Sequence, residues 1–115
     1  MIWEIRYWVD QKGKGAVENW LNTLTKQELK AVAREVKLLE YCGNNLRLPH
    51  SKPLGKGLFE LRERRYGYRI YYCFLNGRVI LLLGAGNKSS QSSDIQVARD
   101  RLKIIKDQGD ETDEN

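Results

Sequence analysis

The stretch Leu54–Gln91, LGKGLFELRERRYGYRIYYCFLNGRVILLLGAGNKSSQ, decides the fold. It reads as three strands in succession. Leu58–Arg65 alternates, a turn falls at Tyr66-Gly67, and Tyr68–Leu75 and Arg78–Leu83 flank Asn76-Gly77, a strong hairpin signal. A two-residue type I′ loop there pairs Leu75 with Arg78 and therefore Arg69 with Gly84. The period of two then sorts the side chains. Tyr68, Ile70, Tyr72, Phe74, Val79, Leu81 and Leu83 fall on one face with Phe59 and Leu61, the expected core under the helices. Glu60, Arg62, Arg64, Arg69, Tyr71 and Cys73 fall on the other with Ile80, Leu82 and Gly84. Gly84-Ala85-Gly86 is expected to turn the backbone tightly and leave Lys88 projecting from the end of the last strand.

The flanking segments supply support for that meander. Ile2–Val9 alternates as a half-buried strand, with Trp3, Ile5, Tyr7 and Val9 pointing one way. Ala16–Leu24 has Val17, Trp20, Leu21 and Leu24 at helical spacing, with Trp20 as a core anchor. Thr25-Lys26-Gln27-Glu28 is a capping box that opens a second helix to about Cys42, with Leu29, Val32, Ala33, Val36 and Leu39 inward and Gly43 suited to its end. Asn44–Gly57 holds both prolines and reads as an ordered loop carrying Arg47, His50, Lys52 and Lys56. His50 is expected to be solvated. Ser93-Asp94-Ile95-Gln96 is a second capping box, opening a last helix with Ile95, Ala98, Leu102 and Ile105 inward and ending near Lys106. The expected class is α+β: an N-terminal strand, a helical hairpin, a three-stranded antiparallel meander and a C-terminal helix. Residues 1–106 read as one domain and 107–115 as an acidic, disordered tail.

Charge points to the partner. The formal net charge is +5, yet DQGDETDEN at 107–115 carries five acids and no base. Residues 1–106 therefore hold 20 bases against 10 acids. From Arg47 to Lys88 nine Lys/Arg face only Glu60 and Glu63, a footprint suited to a phosphate-rich ligand. No apolar run approaches the ~20 residues that span a bilayer, and Met1 opens no secretory pattern, so the expectation is a soluble cytoplasmic protein without membrane contact. Cys42 and Cys73 are expected as reduced thiols. One histidine and no cysteine pair at ligand spacing argue against a zinc site.

Several chemistries are excluded by residue type. GAGNKSS has the spacing of neither a phosphate-binding loop nor a dinucleotide fingerprint, and one loop histidine makes a serine triad untenable. What remains is arginine and lysine converging on one sheet face. Cations alone can cleave RNA: the 2′-hydroxyl attacks the neighbouring phosphorus, and arginine forks stabilise the charge that builds on the non-bridging oxygens. A base must take the 2′-proton, and a lysine can do so only where like charges or burial lower its pKa.

The ordered series ELRERRYGYRIYY, LLLGAGNKSSQSSDI and a helix beginning VARDR resembles the RelE/ParE toxin superfamily. It is most similar to the HigB-like addiction-module killer proteins of toxin–antitoxin operons, over about residues 16–106. The resemblance implies the architecture derived above and a metal-independent endonuclease acting on mRNA in the ribosome, with no cofactor, silenced by a co-encoded antitoxin, expected to be a small helix-turn-helix protein. It implies that Arg62 stabilises the phosphate, that Lys88 assists the leaving group, that Lys52 or Lys56 lies where a loop lysine acts as base, and that Arg69 binds phosphate or braces the sheet. The catalytic set is then Arg62, Lys88, Lys52 and Arg69, with Lys56, Arg64, Arg65, Tyr71 and Gln91 as RNA contacts and no metal ligand. Asn87 stands where the subgroup usually has aspartate, and Asp94 falls where some members have a stacking tyrosine, a role left to Tyr71. The competing reading is a non-catalytic protein of the same fold: a gyrase-directed poison, or a module that binds only antitoxin or RNA.

Overall fold

The computed structural model of the protein describes residues 2–109 and the backbone of residues 112–113. Its elements are β1 (Glu4–Tyr7), α1 (Ala16–Leu21), α2 (Lys26–Cys42), β2 (Ser51–Gly55), β3 (Leu58–Glu63), β4 (Tyr68–Leu75), β5 (Val79–Asn87), α3 (Gln91–Asp107) and β6 (Thr112–Asp113). The sheet runs β1-β5-β4-β3-β2, with β6 beside β4. β1 is parallel to β5; the others pair antiparallel. The class is α+β, with the expected strand, helical hairpin, meander and final helix in order.

The capping box forms as read. Thr25 Oγ1 accepts from the Glu28 amide and Glu28 Oε1 from the Thr25 amide. Tyr68 Oη also donates to Glu28 Oε2 at 2.7 Å, tying the start of α2 to β4. Gly43 ends α2 at φ 52, where a Cβ would lie 2.0 Å from the Trp3 indole nitrogen. Trp20 meets Tyr68 edge-on within the core, as an anchor should. On α2, Val32 and Leu39 are buried, but Leu29 and Ala33 are exposed, so the apolar stripe is narrower than the sequence suggested.

Two features of the meander differ from expectation. The loop after β4 has three residues, Asn76-Gly77-Arg78, because Arg78 joins Gly77 at positive φ, and Leu75 then pairs with Val79. A bulge between Tyr71 and Tyr72 adds a further step, so Arg69 lies opposite Gly86 rather than Gly84. The slip exchanges the faces of β5. Ile80 and Leu82 join Tyr72, Phe74, Leu61, Val17, Val32 and Leu39 under the helical hairpin, while Leu81 and Leu83 join Tyr71, Cys73 and Leu58. That second face is equally buried, covered by Ala98, Leu102 and Ile105 of α3. The uninterrupted run Val79–Leu83 is what a strand enclosed on both sides requires.

Two expectations, for the proline loop and for the end of the first meander strand, are also revised. Ser51–Gly55 is a strand, not a loop; it lies at the sheet edge, where Pro53 removes no interior ladder bond. β3 stops at Glu63 because that buried carboxylate accepts from the Arg65 and Tyr66 amides, which places Arg64 in the turn instead of on the strand face. The helix α3 reaches Asp107, and Thr112–Asp113 pair with Phe74 and Leu75 on the β4 edge that β3 leaves open. The remaining tail residues, Asp110, Glu111, Glu114 and Asn115, lie outside the described residues.

Candidate nucleic-acid interface

Register brings the cations together. Arg62 pairs directly with Arg69, and Arg69 with Gly86, so these three make one row across β3, β4 and β5. The His50 carbonyl accepts from the Arg62 amide at 2.8 Å and extends that row towards β2. The adjacent row holds Lys52, Glu60, Tyr71 and Gly84 as successive partners. Directly opposed residues share a face, so Lys52, Glu60, Arg62 and Arg69 lie on the α3 side of the sheet, at its N-terminal end. Lys88 follows Gly86 by two residues and opens the 3-10 turn Lys88–Ser90 that leads into α3.

At the centre sits Glu60, 0 % exposed. Its Oε1 accepts from Arg62 Nε at 3.0 Å and lies 3.6 Å from Arg69 Nη1; its Oε2 accepts from Gln91 Nε2 at 2.6 Å. Two arginines on paired strands would repel, and one carboxylate between them removes that cost. Side-chain exposure is 25 % for Arg62 and 14 % for Arg69. Lys52, Lys56, Arg64, Arg65 and Lys88 are exposed around this centre. Arg65 rests over the Tyr66 ring, and the Lys56 carbonyl accepts from Lys106 Nζ on α3. With Glu60 as counter-ion, the four cations Lys52, Arg62, Arg69 and Lys88 leave a clear positive excess on an open surface.

Tyr71 is a correction. It is 0 % exposed beneath α3 and presents no ring to a base. Burial, then the negative charges of Glu60 and Asp94, raises its phenol pKa, and its Oη has no hydrogen-bond partner among the described residues. Gln91, expected to touch RNA, donates from Nε2 to Glu60 Oε2 at 2.6 Å. His50 is also not simply solvated: its Nδ1 is 2.8 Å from Glu35 Oε1 on α2.

The Gly84–Gly86 segment does not turn; β5 runs through it to Asn87. Gly86 is required for close approach instead. A Cβ there would stand 1.9 Å from Asp94 Oδ2 and 2.7 Å from Ser90 Oγ. The second helix start is likewise displaced. The side-chain cap here is Asn87, not Ser93, and it caps the 3-10 turn Lys88–Ser90: its Oδ1 accepts from the Ser89 and Ser90 amides at 2.9 and 3.1 Å, while α3 begins at Gln91 behind Ser90, whose side chain makes no cap bond. Asparagine and aspartate cap about equally well, so the departure at this position preserves its structural task.

Glu60, Gly86 and Asn87 are the contributors that sequence reasoning undervalued. The signal for Glu60 was present: an acid two residues from Arg62 on the same strand face. Among the described residues no group of three or more His, Cys, Asp or Glu is disposed to hold a metal ion, and no helix is long and apolar enough to cross a membrane. A concavity of about 650 Å³ lies elsewhere, between the end of β1 and the C-terminal end of α3. The cationic end instead presents exposed Lys52, Lys56, Arg64, Arg65 and Lys88, a charged surface of the kind a nucleic-acid backbone can follow.

A model of the family described as phage derived protein Gp49-like matches residues 19–103. The chain belongs to this Gp49-like family. An uncharacterized protein of Haemophilus influenzae is 36 % identical over 84 residues, 71 % of this chain and 81 % of that protein. Among solved structures, a double arginine-to-alanine mutant of the E. coli toxin RelE in the free state aligns with a TM-score of 0.60 at 15 % identity. That alignment covers 91 % of this chain and 99 % of the other. The isolated E. coli RelE toxin in its P21 form gives 0.54 at 14 % identity, covering 83 % and 98 %. This Gp49-like chain therefore has the RelE-like toxin fold, and the matched segment includes the whole cationic row.

Proposed function

We propose that this Gp49-like protein is the toxin of a type II toxin–antitoxin pair, of the HigB-like kind, and that it cuts mRNA on the ribosome. The observation that carries the reading is the Arg62–Arg69 cross-strand pair, held by a single buried carboxylate and left partly open to solvent beside the Lys88 corner. The RelE-like fold supports the same assignment.

The chemistry is a transfer within RNA. The 2′-oxygen bonds to the adjacent phosphorus, the bond from phosphorus to the 5′-oxygen breaks, and the products are a 2′,3′-cyclic phosphate and a 5′-hydroxyl. Arg62 and Arg69 stabilise the non-bridging oxygens as charge accumulates, the work to which charge-assisted guanidinium bonds are suited. Lys52, in the row beside Arg62, takes the 2′-proton, and Lys88 supplies one to the departing 5′-oxygen. Lys56, Arg64 and Arg65 hold the flanking backbone. This division of labour calls on no metal or cofactor. The protein acts in the cytoplasm, where a co-encoded antitoxin, a small helix-turn-helix protein, silences it.

The test is purified protein added to translating ribosomes in the presence of EDTA, with cut sites read by primer extension. Arg62→Ala and Lys88→Ala should each lower cutting by at least ~10²-fold without unfolding. Normal cutting by both variants would remove these residues from the mechanism. Growth arrest with a DNA-damage response and intact mRNA would point instead to the gyrase-directed reading. Growth without arrest would point to a binding module.

A further inference from the structure

Arg62, Arg69 and Lys88 belong to three different segments: β3, β4 and the β5–α3 junction. Their usefulness to one phosphate depends on what fixes those segments relative to one another. Backbone pairing aligns β3 with β4, but two like charges in directly opposed positions push their side chains apart. The junction is further set by how the first turn of α3 seats on Gly86.

We infer that Glu60 is the positioning residue of this site, a buried carboxylate that locks Arg62, Arg69 and the Lys88 corner into one geometry. One oxygen takes Arg62 Nε at 3.0 Å with Arg69 Nη1 at 3.6 Å; the other takes Gln91 Nε2, on the first residue of α3, at 2.6 Å. The carboxylate thus touches all three segments. It engages Arg62 through Nε, and no hydrogen bond holds the two Nη nitrogens among the described residues, so the end of the fork remains for a phosphate. A carboxylate this deeply buried is maintained only by such partners, which makes the arrangement mutually enforcing. The inference rests on the phosphodiester reading of the site, and Glu60 itself touches no reacting atom.

Removing the charge while keeping the shape has a two-sided consequence. The surface gains a net positive charge, so RNA binds more tightly, while the fork and the Lys88 corner lose their common anchor. Glu60→Gln should therefore lower KM about threefold to tenfold at low salt and lower kcat by ~10²-fold, the size expected from a misplacement of about 1 Å. A residue that merely filled space would leave both constants of the folded fraction unchanged.

The experiment uses the full chain on translating ribosomes carrying a defined mRNA, with kcat and KM measured separately. Glu60→Gln combined with Gln91→Glu reverses the direction of the hydrogen bond between the two positions and keeps the net charge. It should recover kcat at least tenfold over Glu60→Gln alone. Unchanged kcat and KM in Glu60→Gln, or no recovery in the double variant, overturns the inference. Should Glu60→Gln fail to fold, Gln91→Ala serves: a kcat loss of about tenfold at near-constant KM supports the lock, and unchanged kcat overturns it. A readout independent of cutting is the Arg62 Nε–H signal in the nitrogen-15 NMR spectrum. It should exchange slowly with solvent in the native chain and disappear from the slow class in Glu60→Gln. If native protein cuts nothing, the nuclease reading falls, and this signal still decides Glu60: its persistence in the variant overturns the lock, and its loss supports it.

Discussion

Gly84 and Gly86 are two residues apart in β5, yet alanine should act very differently at the two positions. At Gly86 the new Cβ would lie 1.9 Å from Asp94 Oδ2, 2.8 Å from Asp94 Cγ and 2.7 Å from Ser90 Oγ. Neither position takes a positive φ, so the cost is steric and not torsional. Asp94 is short and cannot swing clear without releasing its 2.5 Å bond from Ser90 Oγ, so the first turn of α3 must lift. Overpacking of this kind costs about 1–3 kcal/mol, or roughly 5–15 °C in Tm for a chain of this size. Because that turn carries Gln91 and follows directly on the 3-10 turn that holds Lys88, cutting should fall by up to ~10²-fold as well. At Gly84 the nearest atoms would be Arg101 Nη1 at 3.7 Å and Ala98 Cβ at 3.8 Å, ordinary contact distances. Gly84→Ala should be neutral or stabilising by about 0.5 kcal/mol. Thermal melts of the two variants beside the ribosome assay decide the matter. Equal melting temperatures would refute the close-approach reasoning, and so would full activity in Gly86→Ala.

Asn87→Asp should keep the cap of the 3-10 turn that leads into α3 and lie within about 0.5 kcal/mol of the native chain in urea titration, whereas Asn87→Ala should lose roughly 1 kcal/mol. Stability should also depend on pH through Tyr68 and Glu28. The hydrogen bond to Glu28 pushes the Tyr68 phenol up to about 12, and the same bond, helped by the Thr25 amide, holds the Glu28 carboxyl below its ordinary 4.5. The raised phenol contributes fully below pH 10 and loses its contribution as pH rises through about 12; the depressed carboxyl contributes above 4.5 and loses its contribution as pH falls through its folded value. Tyr68→Phe should flatten the alkaline limb of the urea-midpoint profile and weaken the acid limb. Thiol labelling of the native protein should give one fast site, Cys42, and one protected site, Cys73, whose pKa burial pushes up to about 12.

Much of this was legible in the residues because local signals and tertiary demands agreed. The Thr25–Glu28 box, the Gly43 stop and the alternation through Leu58–Leu75 each name an element whose packing then follows. Placing Arg62 beside Arg69 needed only the period of two. Errors arose where one residue of slip changes everything. Arg78 adopts a left-handed backbone that its type does not advertise, and with that the faces of β5 exchange. Tyr71 looked like a surface ring because the meander was given one buried side. The five consecutive apolar residues Val79–Leu83 already required two, and α3 supplies the second cover. The role of Glu60 was hidden for another reason. Counting acids against bases treats a carboxylate as subtracted charge, whereas its burial between three donors depends on the start of α3, whose N-cap is Ser90, three residues before the Ser93 that the sequence suggests.

The placement of Cys73 has a use beyond structure. Its sulfur lies in the layer between the sheet and α3, on the face opposite the helical hairpin. Departure of that helix, whether spontaneous or forced by a bound protein, would uncover the thiol while the hairpin side stays folded. The chain therefore carries its own gauge of helix docking, one whose rate of reaction with a thiol reagent in free and complexed protein reports a local opening without an introduced cysteine.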